Sequence, residues 1–101
     1  MNKLVEQLKR HEGMKLKPYF CTQGKCTIGI GRNLDDVGIT EQEAEMLLEN
    51  DIKEAIQQLK RRFPWTLDLD EVRFAALINF TLNVGIGTVS KFVNAMALLK
   101  D

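Results

Sequence analysis

The sequence predicts an α+β chain in which one short β-hairpin is set among helices. Two runs, 15–20 and 25–30, alternate around the turn residues Thr22-Gln23-Gly24. Thr40-Glu41-Gln42-Glu43 spells a capping box ahead of apolar residues at helical spacing. A third run, 72–84, is apolar on nearly every side and is stopped by Gly85-Ile86-Gly87.

The first element is a helix over 2–11, with Leu4, Val5 and Leu8 on one face and Gly13 available as its C-cap. Pro18 has no N–H for a ladder, so 15–20 is an edge strand. Gly29 and Gly31 weaken the second strand and predict a bulge or a close backbone approach. A polar loop, Asn33-Leu34-Asp35-Asp36-Val37-Gly38, leads to Thr40, which caps the long helix while Glu43 reaches back to it. Ala44, Leu47, Leu48, Ile52, Ala55, Ile56 and Leu59 carry that helix to about Arg62, before Pro64. Phe63 and Trp65 read as core anchors in the next link, with sugar stacking as the alternative use of the indole. Asp70 opens the helix 72–84, where Ala75, Ala76, Leu77, Ile78, Phe80, Leu82 and Val84 place it at the centre of a core. Thr88 or Ser90 then caps a last helix with Phe92, Ala95, Met96 and Leu99 inward, a pattern still running at Asp101.

Composition narrows the function. One hundred and one residues make one domain, and 45% apolar with 28% charged residues is a globular balance. Fourteen basic residues balance fourteen acidic ones, so no global field draws a polyanion and nucleic acid is not an expected partner. Lys60-Arg61-Arg62 reads as the cationic last turn of a helix. No stretch reads as long or apolar enough to span a bilayer, and charges at Lys3 and Glu6 interrupt any signal-peptide core. The chain is therefore expected to be made in the cytoplasm without stable membrane insertion. Two cysteines are too few for a disulfide scaffold or a zinc site, and their spacing misses the Cys-x-x-Cys redox pattern.

Glu12 is the first candidate for chemistry. It ends a short amphipathic helix, and the hairpin directly after it brings back Cys21 and Thr27, which can set a carboxyl group against a cleft. A single glutamate at a helix end is ordinarily a solvated surface group, so its claim rests on that context. His11 reads as a surface or helix-capping residue. Gly29-x-Gly31 is no phosphate loop, because no Gly-Lys-Ser/Thr follows. Cys21 and Cys26 have three readings: two inert thiols, a disulfide across the hairpin, or a functional Cys21 beside a structural Cys26.

The block Glu12-Gly13, Leu16-Lys17, Tyr19, Gly24, Thr27-Ile28-Gly29-Ile30-Gly31 resembles the phage-type lysozymes, the family of the T-even phage muramidase. A second block follows in the right order, with Leu69-Asp70-x-Val72-Arg73, Ala76-Leu77-Ile78-Asn79 and Asn83-Val84-Gly85. Gly38-Ile39-Thr40 with Glu43-Ala44-Glu45 matches the start of that family's long helix. The resemblance runs from about Leu4 to Lys100.

It implies a lysozyme-like α+β fold. A small hairpin lobe, about 13–38, joins a mainly helical lobe, 1–12 and 60–101, through one long helix, and glycan lies in the cleft between them. Glu12 becomes the general acid, its proton held by partial burial at the cleft floor. Thr27 becomes the residue that positions a water for direct, inverting attack. Cys21 stands where most of the family has aspartate, either helping to hold that water or merely filling the space. Gly31, Arg32, Asn33, Leu82 and Asn83 are the implied substrate-binding residues. Arg32 also replaces a histidine that braces the fold through an ion pair in those proteins, so the brace is expected to be absent or rearranged. Family members continue past the position of Asp101, which reads this chain as truncated at its C-terminus. An arginine that pairs with the glutamate belongs to that further part. A chain ending at Asp101 would leave its central helix partly uncovered, with a homodimer as one remedy.

The implied function is a muramidase cutting the β-1,4 bond between N-acetylmuramic acid and N-acetylglucosamine in peptidoglycan. It would need no cofactor or metal. It would be made in a host bacterial cytoplasm and act on the wall after release through a holin. Two readings compete: a weak or inactive glycan-binding domain, and a helical interaction module.

Overall fold

The computed structural model describes residues 1–100, with side chains described as far as Ala95. Its elements are α1 (Asn2–Glu12), β1 (Lys15–Phe20), β2 (Cys26–Gly29), β3 (Arg32–Asn33), α2 (Glu41–Arg62), a 3-10 helix (Pro64–Asp68) and α3 (Glu71–Lys100). A three-stranded antiparallel sheet among helices makes the fold α+β, as the sequence predicts. The chain divides into two compact units, residues 1–43 and residues 44–101.

In the first unit, α1 ends where Gly13 turns the backbone and gives its N–H to Lys9 O at 2.9 Å. The strands lie in the order β1-β2-β3. Pro18 falls on the edge strand, where its missing N–H costs no ladder bond, and the register shifts between Lys15 and Tyr19 around it. The third strand falls where the sequence predicts the approach to a polar loop. Arg32-Asn33 is too short and too polar to signal a strand, but Thr27 pairs with Asn33 and Ile28 with Arg32 across the Gly29-Ile30-Gly31 turn.

The unit is closed by one charged cluster. Thr40 and Glu43 form the predicted capping box, with Glu43 N–H to Thr40 Oγ1 at 3.1 Å and Thr40 N–H to Glu43 Oε1 at 2.9 Å. The same carboxylate receives Arg32 as a two-pronged pair, Nη1 to Oε1 at 2.7 Å and Nη2 to Oε2 at 2.8 Å. Arg32 Nη1 also donates to Gly38 O at 3.0 Å. The expected brace is thus rearranged, with Glu43 as the partner of Arg32. First the Arg32 guanidinium and then the Thr40 amide hold the Glu43 carboxyl down at about 2.

In the second unit, α2 spans the predicted range and ends on Lys60, Arg61 and Arg62, cations against its dipole. Its second half is covered: Ala55 and Leu59 are buried, while Leu47 and Leu48 stay exposed. Burying a leucine side chain contributes about 1.5–3 kcal/mol, so Leu59 is a main anchor. Trp65 does not anchor the core; it is 55% exposed. The segment after Pro64 winds with three residues per turn, which stacks Phe63, Thr66 and Leu69 on the inner side and turns the indole out. Thr66, fully buried, satisfies its hydroxyl on Phe63 O at 2.7 Å.

Helix α3 is broken at Gly85 (φ 83°, ψ 157°), as the glycine predicts. The apolar run before it is not enclosed as expected. Only Thr81 is buried there, and Ala75, Ala76, Leu82 and Val84 are exposed, because few elements of this unit are available to cover it. Beyond the break, Ser90 is no N-cap: its hydroxyl donates back to Ile86 O at 2.8 Å, so the helix is already running. The inner stripe follows from that phase and is Ile86, Val89, Ser90 and Val93. Phe92 and Ala95, expected inward, are exposed, although Phe92 meets Phe80 edge-on at 5.6 Å. Met96 and Leu99 lie outside the described side chains.

One bilayer statement also changes. The stretch Glu71–Ala95 is long and apolar enough to cross a membrane by length and composition. Asn79, Thr81 and Asn83 hide this in the sequence. Gly85 divides the stretch, so neither part reaches the about 20 continuous helical residues of a span.

Glu43 carries a folded-state pKa below its ordinary 4.5, so its charge stabilises the fold above that pH and the contribution fades as pH falls towards 2. Glu43→Gln should therefore melt below the parent near neutral pH, with the gap closing on acidification through that window, as followed by circular dichroism. A gap that persists at the acid end would assign the loss to the cap instead of the charge.

Candidate active site

The sheet sorts the candidate residues by face. Tyr19 pairs with Thr27 and Phe20 with Cys26. Successive side chains alternate across a strand, so Tyr19, Thr27 and Asn33 share one face. Phe20, Cys26, Ile28 and Arg32 share the other. Cys21 lies one residue past β1, and its N–H bonds Lys25 O at 2.9 Å, which continues the alternation onto the Thr27 face. Cys21 and Cys26 thus point to opposite sides, and both are free thiols. The disulfide reading is excluded by the pleat.

Thr27 is buried at 4% exposure on the central strand, its hydroxyl donating to Lys25 O at 2.9 Å. The Cys21 thiol is half-buried at the mouth of the turn, where the Lys25 backbone N–H and then the Gln23 N–H favour its thiolate. These donors outweigh partial burial and lower its pKa from the usual thiol value. Cys21 and Thr27, separated in sequence, therefore form one polar spot.

Glu12 ends α1 and is exposed, not half-buried as expected. Its carboxyl group lies over the β2–β3 turn: a Cβ built on Gly31 would stand 3.2 Å from Glu12 Oε2 and 3.4 Å from its Cδ. Arg32 turns away from the Cys21–Thr27 face and is engaged by Glu43 and Gly38. Asn33 shares that face, but its amide closes the following loop: Oδ1 accepts the Asp36 N–H at 3.0 Å, and Nδ2 donates to Asp36 Oδ2 at 2.9 Å. Lys25 Nζ reaches the same Asp36 at 3.3 Å. Leu82 and Asn83 belong to the second unit, where Asn83 Nδ2 bonds back to Asn79 O at 2.9 Å and Asn79 Oδ1 at 3.1 Å. Among the described residues no three His, Cys, Asp or Glu side chains converge as a metal would require.

Two participants were not singled out from the sequence. Asp35 accepts the Cys26 N–H at 2.8 Å, and the Lys25 amide faces the Cys21 thiol. The first depends on how the loop folds back on β2. The second is a backbone group, which no side-chain pattern marks, although a cysteine just before a Gly-containing hairpin turn is where such amides gather.

Comparison with known proteins covers this whole region. Residues 9–100 match the family model described as phage lysozyme. An endolysin of Acyrthosiphon pisum secondary endosymbiont phage 1 is 32% identical over 83 residues, covering 78% of this chain and 55% of that protein. An endolysin of Bacillus phage B103 is 31% identical, covering 90% of this chain and 38% of its own length. A probable T4-type lysozyme 2 of Dictyostelium discoideum is 29% identical, covering 100% of this chain and 76% of its own length. The chain thus spans about half the length of the first of these relatives.

The donors around Cys21 predict its reactivity. Alkylation of Cys21 by iodoacetamide, followed by peptide mass spectrometry across pH, should show a midpoint below that of a free thiol. Thr27→Val removes a hydroxyl whose proton is given to Lys25 O and should leave the midpoint in place. A midpoint that moves upward would show that the hydroxyl turns to the sulfur instead.

Proposed function

Since this chain belongs to the phage lysozyme family, we propose that it is a peptidoglycan hydrolase, a muramidase acting on the β-1,4 bond between N-acetylmuramic acid and N-acetylglucosamine. The observation that carries this reading is the family match over residues 9–100, which takes in Glu12, Cys21 and Thr27 together. The proteins named endolysin among its relatives agree with it.

Glu12, protonated, gives its proton to the glycosidic oxygen as the bond to the anomeric carbon breaks, and the leaving sugar departs as an alcohol. A water attacks the anomeric carbon from the opposite face, forming the new C–O bond directly. Cys21 and Thr27 hold that water, its proton is lost to solvent as the C–O bond forms, and Glu12, left as carboxylate, regains its proton from solvent. The amides of Lys25 and Gln23 support this role by favouring the thiolate. The buried Thr27 hydroxyl, its proton turned to Lys25 O, keeps a lone pair to hold the water. The same reading has the protein made in a host cytoplasm and reaching the wall through a holin.

The exposure of Glu12 favours a second reading. A general acid must keep its proton near neutral pH, which burial ordinarily secures. Without it the domain would bind wall glycan and turn it over slowly or not at all.

Release of reducing ends from purified peptidoglycan separates the two. The parent should release them, and Glu12→Gln should abolish release, a loss of at least about a hundredfold. Cys21→Ser should retain a fraction of the rate and Cys21→Ala less. A Cys21→Ala rate equal to the parent's would leave the cysteine as space-filling only. Glycan binding without reducing ends would establish the second reading.

A further inference from the structure

The Gly29-Ile30-Gly31 turn has two glycines in the left-handed region, Gly29 at φ 70° and Gly31 at φ 79°. Their surroundings differ. A Cβ on Gly29 would meet nothing within 4 Å, whereas one on Gly31 would crowd Glu12 Oε2 at 3.2 Å and touch its Cδ and Cγ at 3.4 and 3.6 Å. The space beside position 31 is bordered by the carboxyl group of Glu12. Backbone conformation asks for glycine at both positions, but only at position 31 does the glutamate ask for it as well.

We propose that Gly31 is a positioning residue for Glu12: by having no side chain, it seats the carboxyl group against the turn that joins β2 to β3. The proposal rests on the muramidase reading for its kinetic consequences, but not for the contact itself. Gly31 would thereby act through Glu12 instead of through the glycan, which separates it from the substrate-binding role implied by resemblance. Glu12 is on the last residue of α1 and exposed, so its side chain has many rotamers open to it. Contact with Gly31 confines it on one side. A methyl group at position 31 would push the carboxyl group aside, since the tip of an exposed glutamate yields more easily than the turn. The shift required is a few tenths of an ångström, and since a full ångström costs about a hundredfold, a loss of several-fold in rate follows.

The contact is tested first without activity. In the parent protein, NMR should show a nuclear Overhauser effect between the Gly31 Hα and Glu12 Hγ protons; its absence overturns the proposal whatever the enzyme does. Reducing-end release from soluble, uncrosslinked peptidoglycan chains then gives kcat and KM, normalised to folded protein. Gly31→Ala should lower kcat by roughly threefold to tenfold with little change in KM. Gly31→Asn tolerates the left-handed backbone better yet keeps a Cβ, and should lose kcat likewise. Gly29→Ala carries the same backbone strain without the collision and should keep kcat within about twofold of the parent. Equal losses at both glycines, or a loss confined to KM, would overturn the proposal. A parent that shows the Overhauser effect but releases no reducing ends would sink the muramidase reading and leave the seating of Glu12 standing.

Discussion

The first unit depends on one carboxylate meeting two demands. Glu43 closes the capping box of α2 through Oε1 and, with Oε1 and Oε2 together, takes the guanidinium of Arg32 from β3. Neither contact alone would be strong. An exposed ion pair is ordinarily worth 0–1 kcal/mol, and a cap about 1 kcal/mol. Sharing an acceptor restrains both, because each contact limits the freedom of the carboxylate that the other uses. The third prong, Arg32 to Gly38 O, ties down the loop between them. A strand of two residues, which has little ladder of its own, persists because its arginine is anchored beyond the sheet.

That economy explains what could be read in advance. The helix over 2–11, the hairpin, the capping box and the stop at Gly85 are local signals, and each appears within a residue or two of its expected place. The misses share a different character. β3 has no local signal, since its pairing is dictated by Thr27 and Ile28 across the turn. Trp65 was placed inward by its size, yet the three-residue winding after Pro64 decides otherwise. The last stripe was assigned from the spacing 92, 95, 96 and 99, whereas the break at Gly85 sets the phase and brings 86, 89, 90 and 93 inward. Size and periodicity are properties of a segment, and the inward direction belongs to its neighbours.

The candidate site divides in the same way. Cys21 and Thr27 could be named from the sequence, but not the reason they belong together, which is a strand register that places both on one face of β1 and β2. Register also separates Cys21 from Cys26 and removes the disulfide alternative with no appeal to redox conditions. The same alternation turns Arg32 to the opposite face, where it holds Glu43. Gly31, Arg32 and Asn33 therefore have three distinct surroundings despite being consecutive: a glutamate, an ion pair and an Asx-type loop.

A thiol in place of a carboxylate beside Thr27 asks more of the backbone than an aspartate would. An aspartate is ionised near neutral pH unaided, while an unperturbed thiol is mostly protonated there. The hairpin turn meets this difference with oriented dipoles, which attract negative charge on sulfur without adding a cation to the face. Such donors cost no side chain and are lost only to proline at position 23 or 25. They also shift the thiol towards its charged form by geometry alone, since the amides are held by the turn.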